Sequence, residues 1–275
     1  MSSAKQTSVT AKFRKMHESG CFVLPNPWDI GTAIYLEHLG FEALATTSAG
    51  FAFSRGKRDG GVPCDEMLAH IREIVEATSL PVNADFLAGY ADEPEGVGAN
   101  VRLCIDTGVA GLSIEDNTGR MDMPLYEEKL ATDRIRAARS AIDSSGSGVV
   151  LTGRCEAWLV HDPDPFHTVV DRLAAYAEAG ADCLYAPGVK EPDEIAQVVK
   201  TVAPKPVNVL VSGFNHQLSV SQLTDLGVRR ISVGSGLALA AWGAFQRAAK
   251  DIKANSAFNL LADNAVSADL NELFR

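Results

Sequence analysis

Thr107-Gly108-Val109-Ala110-Gly111-Leu112-Ser113-Ile114-Glu115-Asp116 holds the pattern from which the rest of the chain is read. A glycine follows a helical stretch, where the left-handed C-cap of a helix turning into a strand favours it. An apolar run of strand length comes next, continuous rather than alternating, as expected of a strand buried on both faces. Carboxylates end it. The glycine recurs at Leu39-Gly40-Phe41, Ala179-Gly180-Ala181 and Leu226-Gly227-Val228. Further runs are Cys21–Pro25, Ala43–Thr47, the strand opening at Pro81-Val82, Gly148–Gly153, Asp182–Ala186, Pro206–Val211 and Arg230–Gly234. Each precedes a helical stretch, such as Cys64–Ala77 with Met67, Leu68, Ile71, Ile74 and Val75 at helical spacing. Eight units predict an α/β fold, a (β/α)8 barrel. A doubly wound open sheet is the alternative, but no Gly-x-Gly-x-x-Gly follows the first run. The barrel is expected over residues 1–256. The amphipathic stretch 257–275 follows the eighth unit and is expected to pack on a neighbouring subunit.

Composition narrows the function classes. The 275 residues are 46% hydrophobic and 22% charged, the profile of a globular protein. No apolar run approaches the roughly 20 residues that cross a bilayer, and no apolar h-region follows Lys5. The cytoplasm is the expected address, with no membrane partner. A formal charge of −10 opposes attraction to nucleic acid, so a small-molecule substrate is expected. The five cysteines have no Cys-x-x-Cys spacing and read as reduced thiols, Cys155 as a small buried hydrophobe.

The polar ends of the runs fall at one end of a parallel barrel, where such folds keep their chemistry. They are Thr47-Ser48-Ala49-Gly50, Arg58-Asp59, Asn83-Ala84-Asp85, Ser113-Ile114-Glu115-Asp116, Arg154-Cys155-Glu156-Ala157 and Val207-Asn208. In order and spacing these resemble the isocitrate lyase and phosphoenolpyruvate mutase superfamily, over about Val23 to Phe245. The resemblance implies a barrel whose final helix is exchanged between paired subunits, in a dimer or tetramer. It also implies Mg²⁺, with Mn²⁺ as a substitute, a 2-oxo or 2-hydroxy carboxylate substrate, and the enolate of a 2-oxo acid as intermediate.

Breaking a carbon–carbon bond beside a carbonyl leaves an enolate, which needs positive charge near its oxygens. Mg²⁺ prefers oxygen ligands and keeps several waters, which suits Asp59, Asp85 and Glu115. Ser48 with the N–H groups of Ala49 and Gly50 reads as a carboxylate cradle. Arg154 reads as the partner of developing negative charge, since its planar fork can bind in two places. Glu156 supports the site, and Asn208 reaches the substrate from the seventh run. Trp28, with Phe51, Phe53 and Trp158, is a candidate apolar wall. Asp29, Asp59 and Asp116 each have a helix-capping reading, and His161, His167 and His216 a solvated or structural one.

Two departures limit the resemblance. Members that cleave isocitrate or methylisocitrate carry a Lys-Lys-Cys-Gly-His loop, whereas the corresponding stretch here is Asn117-Thr118-Gly119-Arg120-Met121-Asp122-Met123-Pro124. It is short, with no cysteine or histidine. Asn83 stands where the family pattern has the first aspartate of an Asp-x-Asp pair, and is read as an amide ligand of the metal. Oxaloacetate decarboxylation is therefore the preferred reaction, because it needs an electron sink and no positioned thiol. The alternatives are a carbon–carbon lyase on a 2-alkylmalate or methylisocitrate-like acid, with water or Arg120 as the acid, and a 2-oxo acid binding protein that has lost the chemistry.

Overall fold

The eight apolar runs become eight parallel strands of one sheet in the computed structural model, which describes residues 3–213, 217–262 and 264–275. The strands are β1 (Phe22–Leu24), β2 (Leu44–Ala45), β3 (Val82–Asp85), β4 (Gly111–Glu115), β5 (Val150–Arg154), β6 (Cys183–Tyr185), β7 (Val207–Leu210) and β8 (Arg230–Ser232). The helices are α1 (Ser3–Met16), α2 (Ile30–His38), α3 (Ser48–Ser54), α4 (Cys64–Ala77), α5 (Pro94–Ile105), α6 (Glu128–Ser145), α7 (Pro165–Glu178), α8 (Pro192–Val202), α9 (Val220–Asp225), α10 (Gly236–Asn255) and α11 (Ser267–Leu273). The order β1-β8-β7-β6-β5-β4-β3-β2 is that of a (β/α)8 barrel nearly closed on itself. Between β1 and β2 no ladder forms. A single bond from Ala45 N to Pro25 O (3.0 Å) spans the gap, and Asn26 staples it. The Asn26 amide donates to Thr46 O (2.8 Å), and its oxygen accepts from Val233 N (3.0 Å) and Gly234 N (2.8 Å).

Two elements differ from expectation. No helix is predicted before Cys21, yet α1 closes the base of the barrel. Its three lysines and one arginine mask the apolar period, but Phe13 is fully buried. Arg14 bonds Gly148 O (2.5 Å) and Asp182 (3.1 Å). Gly111 makes room for this plug: a Cβ there would lie 2.7 Å from both Phe13 Cε1 and Asn83 Oδ1. The second difference is α3, which forms directly where Thr47-Ser48-Ala49-Gly50 is read as the polar end of a run and a carboxylate cradle. Thr47 caps that helix by accepting from Gly50 N (3.1 Å).

The helix after β8 stands apart from the others. Helices α4 to α8 bury continuous apolar stripes, whereas α10 buries only Ala238 and exposes Leu237, Leu239, Trp242 and Phe245. Helix α2 likewise exposes Ile30 and Tyr35. Among the described residues no helix is long and apolar enough to cross a membrane.

Candidate active site

Strand register sets the site. Glu115 pairs with Arg154, and Arg154 with Tyr185, so three side chains from successive strands meet at the barrel mouth. Arg154 Nη1 lies 3.2 Å from Asp85 Oδ1 and 3.3 Å from Glu115 Oε2, and Nε lies 2.5 Å from Glu156 Oε1. The guanidinium carbon is 5.1 Å from the centre of the Tyr185 ring, a cation–π contact. Ser48 supports the acidic side: its N–H donates to Asp85 Oδ2 (2.9 Å) and its hydroxyl to Asp59 Oδ1 (3.3 Å). Asp85 N donates to Thr46 Oγ1 (2.9 Å), which fixes the end of β3.

This cluster is short of positive charge. Asp59, Asp85, Glu115 and Glu156 face a single guanidinium. Burial pushes the Glu115 carboxyl well above the usual carboxylate range, against the opposing pull of Arg154. Burial likewise raises Glu156, and burial with the nearby Asp85 charge raises Asp59. Burial works against the charged form of Arg154, but Glu115 and Glu156 hold its pKa well above the ordinary value. Glu115 Oε2 is buried and has no hydrogen bond, its contact with Arg154 being ionic only. The Nη2 of Arg154 bonds no described residue.

Beside the cluster opens a cleft of about 560 Å³ lined by Asp59, Glu115, Tyr90, Asp92, Asn117 and Tyr126, among others. The 117–124 stretch forms its rim and is locked as a hairpin. Asn117 bridges to Leu125, Thr118 N donates to Pro124 O (2.9 Å) and Thr118 Oγ1 to Met123 O (2.5 Å), leaving Met121 wholly exposed. Arg120 is exposed at its tip. Beneath the wall, Arg134 lies 3.9 Å over the Tyr126 ring and bonds the carbonyls of Ala88, Ala91 and Asp92.

Other residues singled out in the sequence fall elsewhere. Asn83 is two residues before Asp85 on the same inward face, one layer deeper, its oxygen beside Gly111 and without a hydrogen bond. Asn208 is buried, accepting from Arg230 Nε (2.9 Å) and donating to Ser232 Oγ (3.0 Å). Trp28 lines an apolar hollow with Trp242 and Phe245 rather than the cleft, and Phe51 stacks on His70. In the cradle, the N–H groups of Ser48 and Gly50 already have partners. Asp116 is a cross-link rather than a helix cap, accepting from Glu156 N (2.8 Å), Arg172 Nη1 (3.1 Å) and the Tyr176 hydroxyl (2.7 Å). Burial, with Asp116 beside it, pushes the Cys155 thiol far up and keeps it inert. His161 is exposed and His167 pairs with Asp164, while His216 lies outside the described residues. Sequence reading missed Tyr185, Tyr90, Asp92 and Tyr126. Tyr185 was signalled by its place at the end of the sixth run.

Similarity to known proteins agrees with this geometry. The phosphoenolpyruvate phosphomutase family profile matches residues 13–253. A crystal structure of a candidate lyase/mutase from Burkholderia cenocepacia superposes with a TM-score of 0.94 at 44% identity, covering 98% of this chain and 97% of that one. The 2-methylisocitrate lyase of Escherichia coli is 31% identical over 167 residues, 58% of this chain and 55% of its own. The oxaloacetate decarboxylase of Pseudomonas putida is 28% identical over 250 residues, 88% of this chain and 83% of its own. Both names are those of carbon–carbon lyases, the enzyme class expected from the sequence. With the barrel, the mouth cluster and a match over most of its length, the chain belongs to the phosphoenolpyruvate phosphomutase family, within the isocitrate lyase and phosphoenolpyruvate mutase superfamily.

Proposed function

We propose that the protein is a Mg²⁺-assisted lyase that releases the enolate of a 2-oxo acid, with oxaloacetate decarboxylation as its preferred reaction. The observation that carries this reading is the mouth cluster, in which three carboxyl groups share one guanidinium beside Asp59, and Glu115 Oε2 is buried without a hydrogen bond. An all-oxygen donor set in negative excess suits a hard divalent cation. Among the described residues no three His, Cys, Asp or Glu side chains are grouped to enclose a metal ion, and Mg²⁺ in such sites keeps several of its waters. Asp85 and Glu115 would hold it, with Asp59 at the rim. Asn83, a layer deeper, is left out of the ligand set. When bound, the ion supplies positive charge beside the enolate oxygens.

The chain's own groups do the rest. Glu156 and the Tyr185 ring fix the Arg154 plane, leaving Nη2 to meet negative charge as it develops. Ser48 orients Asp85 and Asp59, and with the Ala49 N–H it forms the carboxylate end. Water enters over the fixed hairpin and returns a proton to carbon. A second reading, cleavage of a 2-alkylmalate-like acid, is favoured by a cleft larger than a four-carbon acid fills.

The exposed apolar faces of α10 and α2 support packing against a second copy, with the final helix in 257–275 exchanged, and hence a dimer or tetramer. The deciding assay is pyruvate release from oxaloacetate with and without Mg²⁺, corrected for the metal's background rate. Metal-dependent release above background supports the reading. Background rates alone, with ligand-dependent thermal stabilisation, transfer it to a binding protein.

A further inference from the structure

Two residues of the cleft wall carry a buried polar atom with no hydrogen-bond partner, and the two atoms are of different kinds. Glu115 Oε2 can only accept, whereas the Tyr90 hydroxyl can donate and accept. Tyr90 lies in the connection from β3 to α5, which is tied down along its length. Asn100 Nδ2 donates to Gly89 O (2.9 Å) and Tyr90 O (3.2 Å), Glu115 N donates to Leu87 O (3.0 Å), and Arg134 binds the carbonyls of Ala88, Ala91 and Asp92. The Tyr90 ring packs on Phe86, with centroids 5.2 Å apart. Leu87 (φ 49°) and Tyr90 (φ 56°) both take the left-handed backbone that side chains disfavour, so the ring is held in place against strain. Burial, then the charges of Asp85, Cys64, Glu115 and Asp59, push the phenol pKa far up, and the hydroxyl keeps its proton. A buried hydroxyl left unbonded among these carboxylates costs stability that a bound group would return.

We infer that Tyr90 is a positioning residue for the divalent cation: its hydroxyl oxygen accepts from a water of the hydrated ion that Asp85 and Glu115 hold. The inference rests on the reading of the mouth cluster as a cation site and adds an uncharged outer partner to it. A hard ion that keeps its waters turns their protons outward, toward acceptors. Among the described residues of the cleft wall, Tyr90 is the one neutral side chain with a buried, unbonded oxygen. The same hydroxyl has a proton to give to a carboxylate oxygen of the cluster. One group thereby joins the ion's water shell to a ligand, the kind of outer contact that orients ligands and tightens metal binding.

The test is calorimetric titration with Mn²⁺ in the absence of substrate, on wild type, Tyr90→Phe and Tyr126→Phe, with thermal melting of each metal-free protein. Tyr126 is the matched control, because its hydroxyl lies in the same cleft and is already bonded to Asp92. Tyr90→Phe keeps the ring and is expected to weaken Mn²⁺ binding about tenfold. Its metal-free form should melt no lower than wild type, since the substitution removes a buried unpaired hydroxyl. Tyr126→Phe should keep the Mn²⁺ affinity within about twofold of wild type. The inference is overturned by a Tyr90→Phe affinity within that same range, by an equal loss in Tyr126→Phe, or by metal-free Tyr90→Phe melting more than about 3 °C lower, which would make the hydroxyl a structural group. Mn²⁺ binding by wild type alongside any of those results leaves the cation reading standing. Wild type that binds no Mn²⁺ removes both.

Discussion

Two arginines in the barrel interior live under opposite conditions. At the base, Arg230 is 2% exposed and meets only neutral groups: Asn208 Oδ1 and Thr152 Oγ1 at 2.9 Å, and His17 Nε2 at 3.3 Å. His17 bonds the Phe13 carbonyl through Nδ1 (2.8 Å), which leaves Nε2 as the acceptor. At the mouth, Arg154 meets three carboxylates and still leaves Glu115 Oε2 without a hydrogen bond. Fixed dipoles solvate the base charge, and it asks for nothing more. The mouth stays out of balance until a charged ligand arrives, which is why the reaction is assigned to that end.

The contrast breaks most visibly if Arg154 can be spared. Arg154→Ala is expected to lower kcat/KM for the reacting acid by about 10²–10³-fold, roughly 3–4 kcal/mol of transition-state stabilisation. Initial rates on protein checked for folding by circular dichroism measure it, and a loss under tenfold would move the chemistry away from the mouth. Arg230→Met should do the reverse, costing about 2–3 kcal/mol in urea denaturation by orphaning Asn208 and Thr152, while the folded fraction keeps its rate within a few-fold. A large rate loss there would make the base part of the site.

The base also sharpens the contrast through pH. Burial, then Arg230, hold the His17 pKa down at about 3 from 6.5. The unfolded chain therefore binds the extra proton first. This contribution is complete above pH 6.5 and is lost as pH falls toward 3, with a slope of up to about 1.4 kcal/mol per pH unit. His17→Phe should flatten that part of the stability profile. The smallest effect is expected at the rim, where Arg120→Ala changes stability by less than about 0.5 kcal/mol and the rate less than about twofold. A strong rate loss would instead make Arg120 the acid.

The barrel was legible because strands buried on both faces must be apolar throughout, and helix α4 matches the predicted Cys64–Ala77. Helix α1 was not, since what it contributes is one phenylalanine and one arginine rather than an apolar stripe. The cluster of Asp85, Glu115 and Arg154 was readable from strand ends. The layer was harder: Asn83 and Asn208 share the inward face with Asp85 and Arg154, and period-two alternation does not say how deep a residue sits. Trp28 misled for another reason. The apolar partners that claim it come from α10, more than 200 positions later in the chain.

The 117–124 hairpin has a consequence for stereochemistry. Its backbone groups are bonded to one another, so it has little reason to fold over the mouth when substrate binds. An enolate formed there keeps both of its faces open to solvent. Oxaloacetate made chiral by isotopes at its methylene carbon should then give, in heavy water, a pyruvate methyl group of mixed handedness. A single handedness would mean that one side chain delivers the proton from one direction.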